Sequence, residues 1–247
     1  MKRREKYMPA VDPATGEYMT GDALYEVARQ VAGDTLILAF SRGKDSLSAW
    51  LSLRERFNII PFYGYMVPGG LSYERESLDY YERYFGQHIY RFPHPLFWGN
   101  INDLVFQPPQ RVGVIRAIDF PNYTNMDLAR IVAGLNGVND PLVVFGYRAG
   151  DSPRRRLLVL REGPIGVTGL RYFWPIWDWN MERVAQALHS AGVALPYDYQ
   201  LWGRSLTAID YQFAQVIRAQ LPDDWNKLLE WYPLLEAEIY RHERVGK

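Results

Sequence analysis

Cysteine is absent from all 247 residues. Disulfides, thiolate zinc sites, iron–sulfur clusters and cysteine nucleophiles are therefore excluded. Histidine is scarce: His88, His94, His189 and His242 are the whole set, with no HExxH or other paired-His spacing. Zinc is therefore not expected. No apolar run reaches the roughly 18 residues of a membrane span, so no membrane partner is expected. The basic start Met1-Lys2-Arg3-Arg4-Glu5-Lys6 has no apolar stretch behind it. It does not read as a secretory signal, and a cytoplasmic location is expected. Net charge is missing too, because 28 Lys and Arg offset 28 Asp and Glu. General coating of nucleic acid is not expected, and nucleic acid remains a partner only through a local basic patch.

What is present is ordinary globular composition, with 48% hydrophobic residues, enough for a packed core. Eight Trp and 18 Tyr fill such a core or serve partner surfaces. Residues 1–21 read as an irregular lead-in around Asp12-Pro13-Ala14-Thr15-Gly16. A helical pattern over 22–32 ends at Gly33-Asp34. Thr35 to Phe40 is a short continuous apolar run, read as a strand buried on both faces. A helix follows over Leu47–Arg56, then a second buried strand over Ile59–Met66. Strand, loop, helix, strand makes a parallel βαβ unit.

Further on, the pattern predicts a helix over Ser72–Phe85, a strand over His88–Phe92, a helix over Asn125–Gly137 and a strand over Pro141–Tyr147. Residues 93–121 resist assignment. A short basic helix is expected over 152–160, loop over 163–180, and helices over Met181–Ala191, Leu206–Gln220 and Asp223–Arg244. The domain reading is a lead-in to residue 21, an α/β domain over 22–205 and a mainly helical extension over 206–247.

The chemistry concentrates at Ser41-Arg42-Gly43-Lys44-Asp45-Ser46, between the first strand and the helix. A helix N-terminus offers unpaired N–H groups and the positive end of a dipole, which suits a phosphate. Gly43 is expected to supply the sharp turn and the close approach. Ser41 and Ser46 offer hydroxyls and Lys44 offers charge. Asp45 fits the first turn of a helix, or a magnesium ion carried by the nucleotide. The spacing is neither Walker A nor Gly-x-Gly-x-x-Gly. A second segment, Gly146-Tyr147-Arg148-Ala149-Gly150-Asp151-Ser152-Pro153-Arg154-Arg155-Arg156, follows the mid-chain strand. Its arginines can fork onto phosphate or sulfate.

The hexapeptide resembles the PP-loop, Ser-x-Gly-x-Asp-Ser, of the ATP-pyrophosphatase superfamily. The second segment resembles the Gly-x-Arg-x-x-x-Ser-x-x-Arg stretch of its phosphoadenosine phosphosulfate (PAPS) reductase family. Trp174-Pro175-Ile176-Trp177-Asp178-Trp179 is similar to that family's Pro-Ile-x-Asp-Trp stretch. The resemblance implies a Rossmann-like, adenine nucleotide alpha hydrolase-like open parallel sheet of about five strands, with helices on both faces. It implies a bound adenine nucleotide, ATP or PAPS-like, with magnesium. It places phosphate contacts at Ser41, Arg42, Gly43, Lys44, Asp45, Ser46, Gly146, Arg148, Ser152 and Arg155, and an adenine pocket around Ala39 and Met66.

Family reductases use a C-terminal cysteine, and this chain has none, so it cannot perform the thiol step by itself. What remains is cleavage of ATP at the α-phosphate or adenylyl transfer, with Lys44, Asp45 and Arg148 as catalytic candidates. The alternatives are a nucleotide-binding protein without turnover, or an interaction subunit that reuses the fold. A protein partner supplying a thiol or an acceptor, and an oligomer, fit the same reading. The resemblance also extends to cysteine-less members in phage and mobile-element genomes.

Overall fold

In the computed structural model the described residues are 10–167, 169, 171–203 and 208–245. In chain order they form α1 (Gly21–Ala32), β1 (Thr35–Ala39), α2 (Lys44–Leu53), β2 (Asn58–Tyr65), α3 (Ser72–Phe85) and β3 (Tyr90–Pro93). Then come α4 (Pro95–Asn102), α5 (Pro109–Ile118), α6 (Asn125–Leu135), β4 (Val143–Val144) and α7 (Pro153–Glu162). The remainder is β5 (Ile165–Gly166), β6 (Tyr172–Phe173), α8 (Met181–Ala191), α9 (Asp198–Trp202), α10 (Tyr211–Gln220), α11 (Pro222–Trp231) and α12 (Leu235–Val245).

The fold is α/β, built on a six-stranded sheet of order β3-β2-β1-β4-β6-β5. β1 runs parallel to β2, from Thr35 opposite Asn58 to Ala39 opposite Phe62, and parallel to β4 on its other side. β6 continues parallel to β4, and the short β5 closes the edge antiparallel to β6. This is the mainly parallel, Rossmann-like sheet expected, with six strands against about five. The buried run Leu36-Ile37-Leu38 explains the central place of β1, since such a strand needs cover on both faces.

The chain leaves β1 toward β2 on one side and returns to β4 on the other. The order therefore reverses between β1 and β4. In open α/β sheets, ligands bind in the crevice outside the carboxyl ends of the strands at such a switch point. Both motif segments follow these two strands.

The chain forms two compact units. The first comprises residues up to Tyr63, Glu82–Tyr90 and Asn125–Leu195, and holds β1, β4 and both motifs. The second comprises Gly64–Tyr81, Arg91–Thr124 and residues from Pro196 onward. Its apolar cluster gathers Met66, Leu71, Phe97, Phe213, Trp225 and Leu228, among others.

Several boundaries differ from expectation. The first helix after β1 begins at Lys44 rather than Leu47, so Lys44, Asp45 and Ser46 form its first turn. Residues 93–121 contain α4 and α5, each with proline in its first turn. The stretch 163–180 is not all loop, since it supplies β5 and β6. The single helix expected over Asp223–Arg244 is two, broken after Tyr232. Pro233 is the reason: it has no N–H to give and disfavours helical backbone in the residue before it. The start of the helix expected from Leu206 lies outside the described residues.

Candidate functional site

The loop after β1 is locked by its own serines. Ser46 is buried, at 2% exposure. Its Oγ donates to the Gly43 carbonyl at 2.9 Å and accepts from the Ser41 N–H at 3.3 Å and the Ser41 hydroxyl at 3.0 Å. The hydroxyl expected to face a phosphate is thus the internal tie of the loop.

The turn itself corrects the expectation for Gly43. Gly43 is extended, at φ −72° and ψ 159°, and the left-handed residue is Arg42, at φ 61°. Arg42 is buried, with its guanidinium 5.2 Å from the centre of the Tyr63 ring. The N-cap of α2 is Gly43, which has no side chain to cap it. Its first-turn amides, from Lys44 onward, are the ones an α-helix leaves without intrahelical partners. By contrast, α7 is capped by Ser152, whose Oγ accepts from the Arg155 N–H at 3.2 Å. That bond gives Ser152 a local structural task.

Gly146 brings the two segments together. A Cβ at this position would lie 2.5 Å from the Asp45 carbonyl carbon and 2.6 Å from the Ser46 nitrogen. The backbone leaving β4 therefore presses directly on the first turn of α2, and only glycine permits that approach.

Across this contact runs a chain of charges. Asp45 accepts from Lys44 Nζ at 2.9 Å through one oxygen and from Arg148 Nε at 2.7 Å through the other. Arg148 is 3% exposed and also donates to Asp151, to the Trp179 carbonyl at 3.3 Å and to Met181 Sδ at 3.2 Å. Asp151 accepts in turn from Arg155, whose guanidinium lies 4.5 Å from the Tyr147 ring centre. Three cations (Lys44, Arg148, Arg155) against two carboxylates (Asp45, Asp151) leave one positive charge, set at the positive end of α2.

The tryptophan stretch supports this arrangement through its backbone: the Trp177 carbonyl accepts from the Ala149 N–H at 2.7 Å. Trp174 and Trp179 are buried and Trp177 half-buried.

Eleven of the residues expected at the site, from Ala39 and Ser41 through Ser46 to Gly146, Arg148, Ser152 and Arg155, lie in the first unit. Met66 lies in the second, inside its apolar cluster. Sequence reasoning passed over Asp151. Its spacing, three residues after Arg148 and four before Arg155, was the available signal, since it brings side chains one turn apart together. No group of three or more His, Cys, Asp or Glu side chains that could hold a metal ion occurs among the described residues. No described helix is long and apolar enough to cross a membrane.

No family model matches the chain, and no curated protein matches it. Among solved structures it is similar to the NH3-dependent NAD synthetase of Campylobacter jejuni, determined in complex with the nitrate ion. The two share 13% identity over 91% of each chain, with a TM-score of 0.44. A likeness of that degree carries no argument about what this chain binds.

Proposed function

We propose that the chain binds an adenine nucleotide, ATP or a PAPS-like compound, and cleaves ATP at the α-phosphate or transfers the adenylate to an acceptor. It is a cysteine-less relative in the manner of the PAPS reductases and performs no thiol-dependent reduction by itself. The observation that carries the reading is the meeting of Lys44 and Arg148, 104 positions apart, on the single carboxylate of Asp45. They meet at a helix N-terminus whose N-cap is glycine, beside the switch point of a parallel sheet. A phosphate is the ligand that can take the place of that carboxylate, because it offers the same cations more oxygens and the α2 amides an acceptor.

In this reading the nucleotide phosphates displace Asp45 from Lys44, and the loop amides and Lys44 hold them. Arg148, released on the same side, neutralises charge as pyrophosphate leaves. Both Asp45 oxygens are engaged by cations, so the residues do not form a resident metal centre. Magnesium would arrive as the counter-ion of the nucleotide. A thiol, where one is needed, comes from a partner.

A second reading is favoured by the same charges. Arg148 sits between two carboxylates, Asp45 and Asp151, and a guanidinium so neutralised suits nucleotide binding without turnover.

The test is incubation of the full chain with ATP and magnesium, followed by product analysis and thermal shift. Release of AMP or pyrophosphate, abolished in Lys44→Ala, is expected. A stabilising shift without products selects the second reading. No shift with ATP or PAPS removes both, because a ligand of the native state must raise its stability.

A further inference from the structure

Asp151 closes the short 3-10 turn Ala149–Asp151, between the segment leaving β4 and the start of α7. Its backbone is fixed on both sides. The Ala149 N–H donates to the Trp177 carbonyl at 2.7 Å, and Ser152, the next residue, caps α7. The carboxylate is 14% exposed and divides its oxygens between two guanidiniums. One oxygen accepts from Arg148 Nη2 and the other from Arg155 Nη1.

Arg148 turns each of its nitrogens to a different partner. Nε donates to Asp45 at 2.7 Å, Nη1 to the Trp179 carbonyl at 3.3 Å, and Nη2 to Asp151 and to Met181 Sδ. In the function proposed above, nucleotide phosphates take the place of Asp45. The guanidinium is then left with one carbonyl, one thioether and one carboxylate. Hydrogen bonds to an ionised group are about twice as strong as neutral ones, so Asp151 is the principal anchor of the three. The same carboxylate offsets the repulsion between Arg148 and Arg155 and keeps Arg155 beside the Tyr147 ring.

We propose that Asp151 is a positioning residue for nucleotide cleavage. It fixes the plane of Arg148 so that the Nε edge is the one presented to the phosphates. The inference rests on the nucleotide reading of this site. The role has a signature of opposed signs. A carboxylate near a polyphosphate opposes its binding. Without the charge of Asp151 the site would hold three cations against Asp45 alone, two positive charges rather than one. One unit charge about 5 Å away in water alters affinity about threefold. Positioning acts the other way, since a misplacement of about 1 Å can slow a step about 100-fold. Losing the charge of Asp151 therefore helps binding and harms turnover. A side chain that only supported the fold would, on removal, harm both.

Asp151→Asn keeps the shape of the side chain and removes its charge. ATP affinity is measured by calorimetry on the full chain at low salt, and product release at saturating ATP. The asparagine variant is expected to bind ATP about threefold tighter and to turn over about tenfold more slowly or worse. Asp151→Glu keeps the charge and displaces it by one methylene. Its ATP affinity is expected within about twofold of wild type, with turnover between wild type and asparagine. Melting curves show whether each variant is folded, and the glutamate variant carries the test where asparagine is not. Wild-type turnover in the variants, or affinity and turnover lost by the same factor, overturns the positioning role while wild-type ATP binding leaves the nucleotide reading standing. Wild type that binds ATP and forms no product overturns the role as well, since no step remains to be positioned. Wild type that binds no ATP removes the nucleotide reading itself.

Discussion

Arg42 carries the left-handed backbone of the turn, next to Gly43, which was expected to supply its sharpness. The sign of φ is not written in a residue's polarity or spacing, and the glycine next door drew the expectation. A non-glycine residue pays about 1–2 kcal/mol for this conformation. Arg42 tolerates it because its stem is buried and its guanidinium lies over Tyr63. Two substitutions separate these effects. Arg42→Gly and Arg42→Ala both lose the packing on Tyr63, but only alanine keeps the backbone penalty. The glycine variant is expected to be the more stable by about 1 kcal/mol, read as a difference in urea midpoint at unchanged slope. Equal midpoints, or a more stable alanine variant, would show that the loop does not hold this conformation. Lys44, Asp45 and Arg148 were legible as candidates from their chemistry. Their mutual pairing was not, because it depends on Gly146 letting two remote segments touch.

At the scale of elements, legibility followed length and punctuation. Thr35–Phe40 and Ile59–Met66 read as strands because continuous apolar runs bounded by polar residues suit a doubly covered sheet. β4, β5 and β6 have two residues each, too short for any period, and only β4 sat in a run long enough to be seen. The helices of 95–118 escaped because they lie in the stretch that resisted assignment. Pro95 and Pro109 stand in first turns, where the missing N–H costs nothing. α4 owes its start to His94, whose Nδ1 accepts from the Leu96 N–H at 3.1 Å. Accepting requires the neutral imidazole, and burial holds its pKa below the usual 6.5. A Cβ on Gly64 would meet the ring at 2.7 Å, so the site is tightly closed. For a depressed pKa the unfolded chain binds the proton first. The contribution of His94 is therefore present above 6.5 and is lost as pH falls through the folded value. His94→Asn keeps a capping side chain and removes the titration. Urea midpoints of wild type and variant, compared at neutral and mildly acidic pH, are expected to converge or cross as pH falls. A constant difference would exclude His94 as the source.

The whole molecule is interleaved: the chain passes from one compact unit to the other at 63/64, 81/82, 90/91, 124/125 and 195/196. Composition and motif spacing do not report such crossings, and a reading along the chain divides it where the pattern changes, near residue 205. The core of the second unit shows what that division would remove. Phe213, Ile217, Trp225, Leu228, Tyr232, Leu235 and Ile239 come from the last third, and they pack with Met66, Val67, Leu71, Tyr73, Phe97 and Ile101. Phe97 alone has the Trp231 ring at 5.0 Å and the Tyr232 ring at 6.3 Å. Each large side chain so buried contributes about 1.5–3 kcal/mol, and a domain's net stability is only about 5–15 kcal/mol. A chain ending at residue 205 would lose more than that margin from one unit while leaving its partner residues exposed to water. Such a chain is therefore expected to bind the dye ANS, to lose near-ultraviolet circular dichroism from Trp98 and Trp202, and to melt without a cooperative transition. A sharp melt with the near-ultraviolet signal intact would mean that residues 64–124 hold their core without the C-terminal helices. The extension would then be an appendage rather than half of a core.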